Sequence, residues 1–302
     1  TGDGRVSHDA MQQQIFGAGV FGVPSYVIDG QLFFGREHLP MVRWLLRGKR
    51  GAAPDIAYRH FGATDSLRNL PLPGPLDATP TVCIDFKNPK SYLALQSTYA
   101  LEAELGVAFD WLPLLVAPLS RPHAAQPGED RGTGHRRKRA HYIEDDIRRY
   151  AKIYGLELAD LYRNPDASVA SIGLLWVNER SPTTGRAYVD LVFERYWSGQ
   201  LNIENVAAIG ALLHEVGAEV VGWDAYVAGR GREVLDATCS RLRDAGLFDV
   251  PGYIVENEVF FGRQHLPMIR WIFIVENEIF FGRQHLPMIR WILSGRRDEP
   301  PI

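Results

Sequence analysis

One stretch of this sequence is written twice. Residues 19–45 (GVFGVPSYVIDGQLFFGREHLPMVRWL) align without a gap on residues 246–272 (GLFDVPGYIVENEVFFGRQHLPMIRWI), an offset of 227 positions. Val23-Pro24, Phe33-Phe34-Gly35-Arg36 and His38-Leu39-Pro40-Met41 return as Val250-Pro251, Phe260-Phe261-Gly262-Arg263 and His265-Leu266-Pro267-Met268. Solenoid repeats have periods of roughly 20–50 residues, whereas this spacing is that of a whole domain. The economical reading is two copies of one domain in tandem, with residues 1–47 the C-terminal remnant of the first. The chain opens Thr1-Gly2-Asp3-Gly4 with neither an initiator Met nor a signal segment, so the expectation is a removed N-terminus or a fragment, with the front half of the first copy upstream of Thr1.

A second repeat differs in kind. Residues 273–292 copy residues 253–272, changing only Tyr253 to Phe273 and Val259 to Ile279. The unit holds two short strands and a helix start. Its first copy should take the sheet position; the second lacks a preceding Val-Pro and is expected to pack loosely or pair on an edge. Between the long repeats, residues 48–80 are rich in Gly, Pro and Ala, with prolines at 71, 73, 75 and 80. Proline fits neither a helix interior nor a central strand, so this stretch reads as a linker and residues 81–295 as one domain.

Within that domain, Thr81–Phe86 (TVCIDF) is a short apolar, β-branched run, the mark of a buried strand. Asn88 is a good N-cap, Pro89 suits the first helical position, and Gly106 is a stop signal, so Ser91–Leu105 reads as a helix. Val107–Leu115 reads as a second strand, completing a βαβ unit. Residues 117–140 read as a polar loop ending in the basic cluster 135–139, a solvated charge run on its own evidence. Helices are expected at 141–154, 187–197, 202–216 and 231–245. Two strands and a final helix from about Gln264 close the domain. The order βαβ, helical block, ββα predicts an α/β thioredoxin-like fold with a helical insertion over about 116–245.

Composition narrows the function. The chain is 46% hydrophobic and 23% charged, which is ordinary globular usage. A net charge of -3 gives no electrostatic reason to expect nucleic acid. No apolar run approaches the roughly 20 residues of a membrane span. The two cysteines, Cys83 and Cys239, stand in no CxxC or metal-ligand spacing and read as inert buried thiols. Their scarcity points to the cytoplasm. His141, His214 and His265 have no paired carboxylate at metal spacing, so no metal is expected. Trp111, Trp176, Trp197 and Trp223 read as core.

Three stretches resemble the DsbA-like thioredoxin superfamily, in its 2-hydroxychromene-2-carboxylate isomerase and kappa-class glutathione transferase branch. They are Ile84–Ala94 (IDFKNPKSYLA); the series Tyr142, Asp146, Arg149, Ala151, Tyr154-Gly155-Leu156; and Gly246–Pro251 followed by Phe260–Gln264. Together they span most of residues 81–272. The resemblance implies glutathione as cofactor, its thiol at the N-terminus of the first helix, where orphan N–H groups and the helix dipole stabilise a thiolate. Asn88 and Ser91 then stand at the catalytic positions that hold CxxC in the thiol oxidoreductases. With no cysteine at either, disulfide exchange loses its nucleophile, while Asn88 can still donate to a bound thiolate; read without the family, Asn88 is a helix cap.

The resemblance also makes Pro251 a cis-proline and gives Val250 the pairing with the peptide backbone of glutathione; the plain alternative is a trans proline at a strand start. It places the γ-glutamyl end at Gly262-Arg263-Gln264, where the family's carboxylate has become Gln264, and gives Arg139 a glutathione carboxylate to hold. The implied activity is a glutathione-dependent isomerase or transferase acting on a small aromatic or conjugated substrate, with a homodimer compatible. A catalytically degenerate domain and a thiol-disulfide oxidoreductase are the alternatives.

Overall fold

The computed structural model describes residues 2–58, 78–125, 127–256 and 258–273. Strand β3 (Thr81–Ile84) leads into helix α3 (Pro89–Leu105) and then β4 (Asp110–Pro113), which runs parallel to β3. The cap signals act as expected: Asn88 Oδ1 accepts from the Lys90 N–H at 3.0 Å, and Gly106 ends the helix at φ 67°. Helices α4 (Arg131–Tyr154), α5 (Ser168–Arg180), α6 (Gly185–Trp197), α7 (Val206–Glu215), α8 (Trp223–Ala228) and α9 (Arg230–Asp244) are inserted before the hairpin of β5 (Gly252–Val255) and β6 (Glu258–Phe261). A 3-10 turn (Arg263–His265) and α10 (Leu266–Ile272) follow. The sheet order is β4-β3-β5-β6, with β5 antiparallel to both neighbours. Its centre is dry: Val82, Cys83, Ile84, Tyr253 and Val255 are fully buried, as are Trp176 and Trp197.

Three sequence expectations are corrected. Helix α4 begins at Arg131, so the basic cluster 135–139 lies on a helix and not in a loop; Asp130 caps it by accepting from the Thr133 N–H. Helices α5 and α8 were not anticipated. Of the 48–80 linker, residues 53–58 pack on the body, with Ile56 and Ala57 buried; residues 59–77 lie outside the described residues. So does the second 20-residue copy beyond Phe273, whose ring is buried and stacked on Phe109.

The long repeat recurs in backbone detail. Helix α1 (Gly2–Gly17) precedes strands β1 (Ser25–Ile28) and β2 (Gln31–Phe34), a 3-10 turn at Arg36–His38, and α2 (Leu39–Leu46). Both Val23-Pro24 and Val250-Pro251 are cis. Gly35 N–H donates to Pro24 O at 3.0 Å, as Gly262 N–H does to Pro251 O at 2.8 Å. Gly35 and Gly262 both have positive φ, and the side chain two residues on, Glu37 or Gln264, fills the space a Cβ would need. One difference is topological. Strand β5 is flanked by β3 and β6, whereas among the described residues β1 pairs only with β2, and Val27 is exposed on it.

This first hairpin docks on α4. Arg149 donates to Leu32 O at 3.0 Å and Gln31 Oε1 at 3.3 Å, lies over the Phe33 ring, and pairs with Asp146 at 2.6 Å. Phe34 N–H donates to Tyr142 Oη at 3.0 Å. His38, buried between Tyr142 Oη (2.8 Å) and Tyr150 Oη (3.1 Å), is held neutral: burial and the Arg149 charge push it down to about 3. Arg149→Ala would strand the half-buried Asp146 and the Leu32 carbonyl. The expected cost is about 3 kcal/mol, read by urea unfolding, with residues 19–47 becoming accessible to protease at concentrations the native protein resists.

Candidate functional site

The site follows from strand register. Thr81, Val82 and Cys83 lie opposite Ile254, Tyr253 and Gly252. Because the two strands are antiparallel, the C-terminal end of β3 meets the N-terminal end of β5. The Asp85–Asn88 loop and the tip of α3 are thereby set beside the cis Val250-Pro251 bond. On the other side of β5, Gly252 lies opposite Phe261, which brings the 262–264 turn against Pro251. A direct contact closes the first juxtaposition: Lys90 Nζ lies 3.6 Å from Asp249 Oδ2.

The expected residues separate on inspection. Asn88 is buried at 5% exposure; its Oδ1 caps the helix, and its Nδ2 has no partner among the described residues. Lys90 N–H goes to that Oδ1 and Ser91 N–H to Asn88 O, while Pro89 has no N–H. The orphan main-chain donors expected at the tip are therefore already satisfied. What remains for an anion is the Asn88 amide, the Lys90 ammonium and the positive end of the helix. Ser91 is fully buried, and its Oγ accepts from the Asp85 N–H at 3.2 Å. It braces the loop and does not face a ligand.

Val250 N–H, expected to pair with a ligand backbone, donates instead to Asp249 Oδ1 at 2.8 Å. Gln264 Nε2 donates to Phe261 O, and Arg263 is buried with its Nε on the Asp55 carboxylate. Arg139 stands apart from these residues. It lines a pocket of about 370 Å³ with Pro118, Leu119, Ile143 and Tyr162, and has no ion-pair partner among the described residues. A second cleft of about 490 Å³ runs between Leu114–Ala117 and the Gly246–Phe248 approach to the cis-proline. The 114–120 loop borders both.

Two residues were missed from the sequence. Asp55 lies in a stretch whose composition reads as linker. Asp85 was quoted within a motif and given no role. It is fully buried at the end of β3, accepts from Val116 N–H (3.0 Å) and Lys87 N–H (3.2 Å), and ties the helix loop to the 114–120 loop. Its signal was a carboxylate ending an otherwise apolar strand. Burial pushes its carboxyl up to about 6, against the pull of those two N–H groups and the Lys87 charge.

Both cysteines are buried, and burial pushes the Cys83 thiol up to about 12. At that value the Cys83 thiol is no nucleophile at neutral pH.

The Asp85 shift predicts a pH dependence. An acid whose folded pKa is raised holds its proton in the native state after the unfolded chain has lost it, so stability falls as pH rises. The window runs from 3.8 to about 6. The loss should be about 3 kcal/mol, read as the difference between the urea-unfolding profiles of the wild type and Asp85→Asn. Parallel profiles across that window would contradict it.

Comparison with known proteins agrees with this architecture. Similar solved structures include a 2-hydroxychromene-2-carboxylate isomerase (19% identity, 64% of this chain and 92% of that one, TM-score 0.49). A probable DsbA oxidoreductase from Streptomyces coelicolor matches at 14% identity over 74% of this chain and 93% of that one, TM-score 0.50. The cytosolic disulfide reductase DsbM from Pseudomonas aeruginosa matches at 14% identity over 65% and 96%, TM-score 0.44. At 14% identity the likeness to the Streptomyces coelicolor protein concerns the fold alone. No curated protein matches in sequence. The model of the DSBA-like thioredoxin domain matches residues 81–290, and the chain belongs to that family.

Proposed function

We propose that the chain is a glutathione-dependent isomerase or transferase of the 2-hydroxychromene-2-carboxylate isomerase type. One observation carries the reading: at the tip of α3, beside the cis Val250-Pro251 bond, stands an amide donor in place of a thiol. Among the described residues Asn88 Nδ2 has no partner, while Oδ1 caps the helix. A site without its own thiol has no use for disulfide exchange but retains the means to hold one supplied by a ligand. Bound there, glutathione would supply a nucleophilic thiolate for isomerising a conjugated bond, with Asn88 and Lys90 holding its sulfur beside Pro251.

The chain's residues do the rest. Asn88 Nδ2 and the Lys90 ammonium favour the charged sulfur. Pro251 and the Val250 carbonyl align the tripeptide. Arg139, without an ion-pair partner among the described residues, offers its guanidinium to a carboxylate. The cleft between Leu114–Ala117 and Phe248 is the place for a small aromatic or conjugated substrate. A cytoplasmic setting belongs to the same proposal, and two buried free thiols fit it.

A non-catalytic domain is the second reading, favoured by the burial of Asn88 and Val250 and by the Lys90–Asp249 pair across them. Glutathione calorimetry separates the two. The enzyme reading expects saturable heat at or below millimolar ligand; a folded protein giving none overturns it. Asn88→Ala should weaken binding about tenfold, the size of one hydrogen bond to a charged group. Insulin reduction should stay at background, and activity there would return the chain to the disulfide oxidoreductases.

A further inference from the structure

The segment Asp55–Tyr58 crosses the turn that ends β6. Ala57 N–H donates to Glu37 O at 2.9 Å in the first repeat, and Tyr58 N–H donates to Gln264 O at 2.8 Å in the second. Both Asp55 oxygens approach Arg263 Nε, at 2.9 and 3.1 Å, and one also accepts from Ser97 Oγ at 2.9 Å. Ile56 and Ala57, in the middle of this strap, are buried. Arg263 itself is 6% exposed and lies against the Tyr150 ring at 4.8 Å.

This pairing is incomplete. A guanidinium presents two parallel N–H groups that match the two oxygens of a carboxylate. Here both oxygens crowd one nitrogen, and Arg263 Nη2 is buried with no acceptor among the described residues. A buried donor left unpaired carries a desolvation cost. The hairpin does not require a buried arginine at this position. The matching residue of the first repeat, Arg36, is exposed and stacks on Tyr58 at 4.6 Å. The turn carrying Arg263 adjoins the cis-proline through the Gly262–Pro251 hydrogen bond.

We propose that Arg263 is a carboxylate-binding subsite that the chain's own Asp55 fills, so that the Asp55–Tyr58 strap competes with the amino-acid end of an incoming ligand. The inference rests on the glutathione reading above and adds an intramolecular occupant to it. A carboxylate meeting the Nε and Nη2 edge would make two parallel bonds where Asp55 makes contacts to one nitrogen. The ligand then binds the strap-open population, and its apparent affinity is reduced by the open fraction.

Asp55→Asn is the obvious variant, but it strands a buried guanidinium and endangers the fold. The variant Ile56→Ser/Tyr58→Ser loosens the strap and keeps both charges. Calorimetry with glutathione should show binding about tenfold tighter than wild type. Hydrogen exchange on the wild type should show the Ala57 and Tyr58 amides exchanging faster when glutathione is added. Equal affinities overturn the subsite, and so does unchanged or slower exchange at those amides; in either case binding by both proteins leaves the glutathione reading standing. If both proteins are folded by circular dichroism and neither binds at millimolar glutathione, both readings fall.

Discussion

Three residue pairs hold the functional end of this molecule together: Thr81 opposite Ile254, Val82 opposite Tyr253, and Cys83 opposite Gly252. Antiparallel pairing at this register puts the end of one strand beside the start of another that lies about 170 residues away in sequence. A slip of one residue would turn every side chain of β5 to the other face. The register resists that slip because Tyr253 and Val255 are fully buried on one face. The Tyr253 hydroxyl also reaches Thr98 in α3 at 3.0 Å, tying strand to helix. The helix tip, the cis-proline and the 262–264 turn converge as consequences of this pairing.

Much of this was legible because it rests on local chemistry. Asn88 before Pro89 and Gly106 after Leu105 mark helix ends through their own backbone preferences, and the folded chain uses them that way. Helix α5 was hidden for the opposite reason. Ser168 and Ala170 to Val177 are all buried, so no polar face alternates with an apolar one and periodicity has nothing to report. The start of α4 carries Gly132 and Gly134 among arginines, residues that lower helix propensity while supplying no apolar stripe.

The site was only partly legible, for a different reason. Residue types suggested what each group could donate or accept, but not which partner had already claimed it. Val250 N–H is taken by the side chain next to it, Ser91 Oγ by the loop it braces, and Arg263 by a carboxylate from a segment that reads as linker. Asp55 and Arg263 are joined across 208 positions, a distance at which composition says nothing. The Tyr142, Asp146 and Arg149 series is a similar case. Its place in the family helix was recognised, yet in this chain those side chains grip a hairpin from the other repeat.

That hairpin carries a consequence of its own. In the C-terminal repeat the strand after the cis-proline is enclosed between two neighbours; in the N-terminal repeat the same strand has one neighbour among the described residues. Four residues of main chain, with Val27 turned outward, are thus presented as a template for another strand. A strand edge left unpaired in this way is the kind that native proteins keep short or cover, and β1, at four residues, is short.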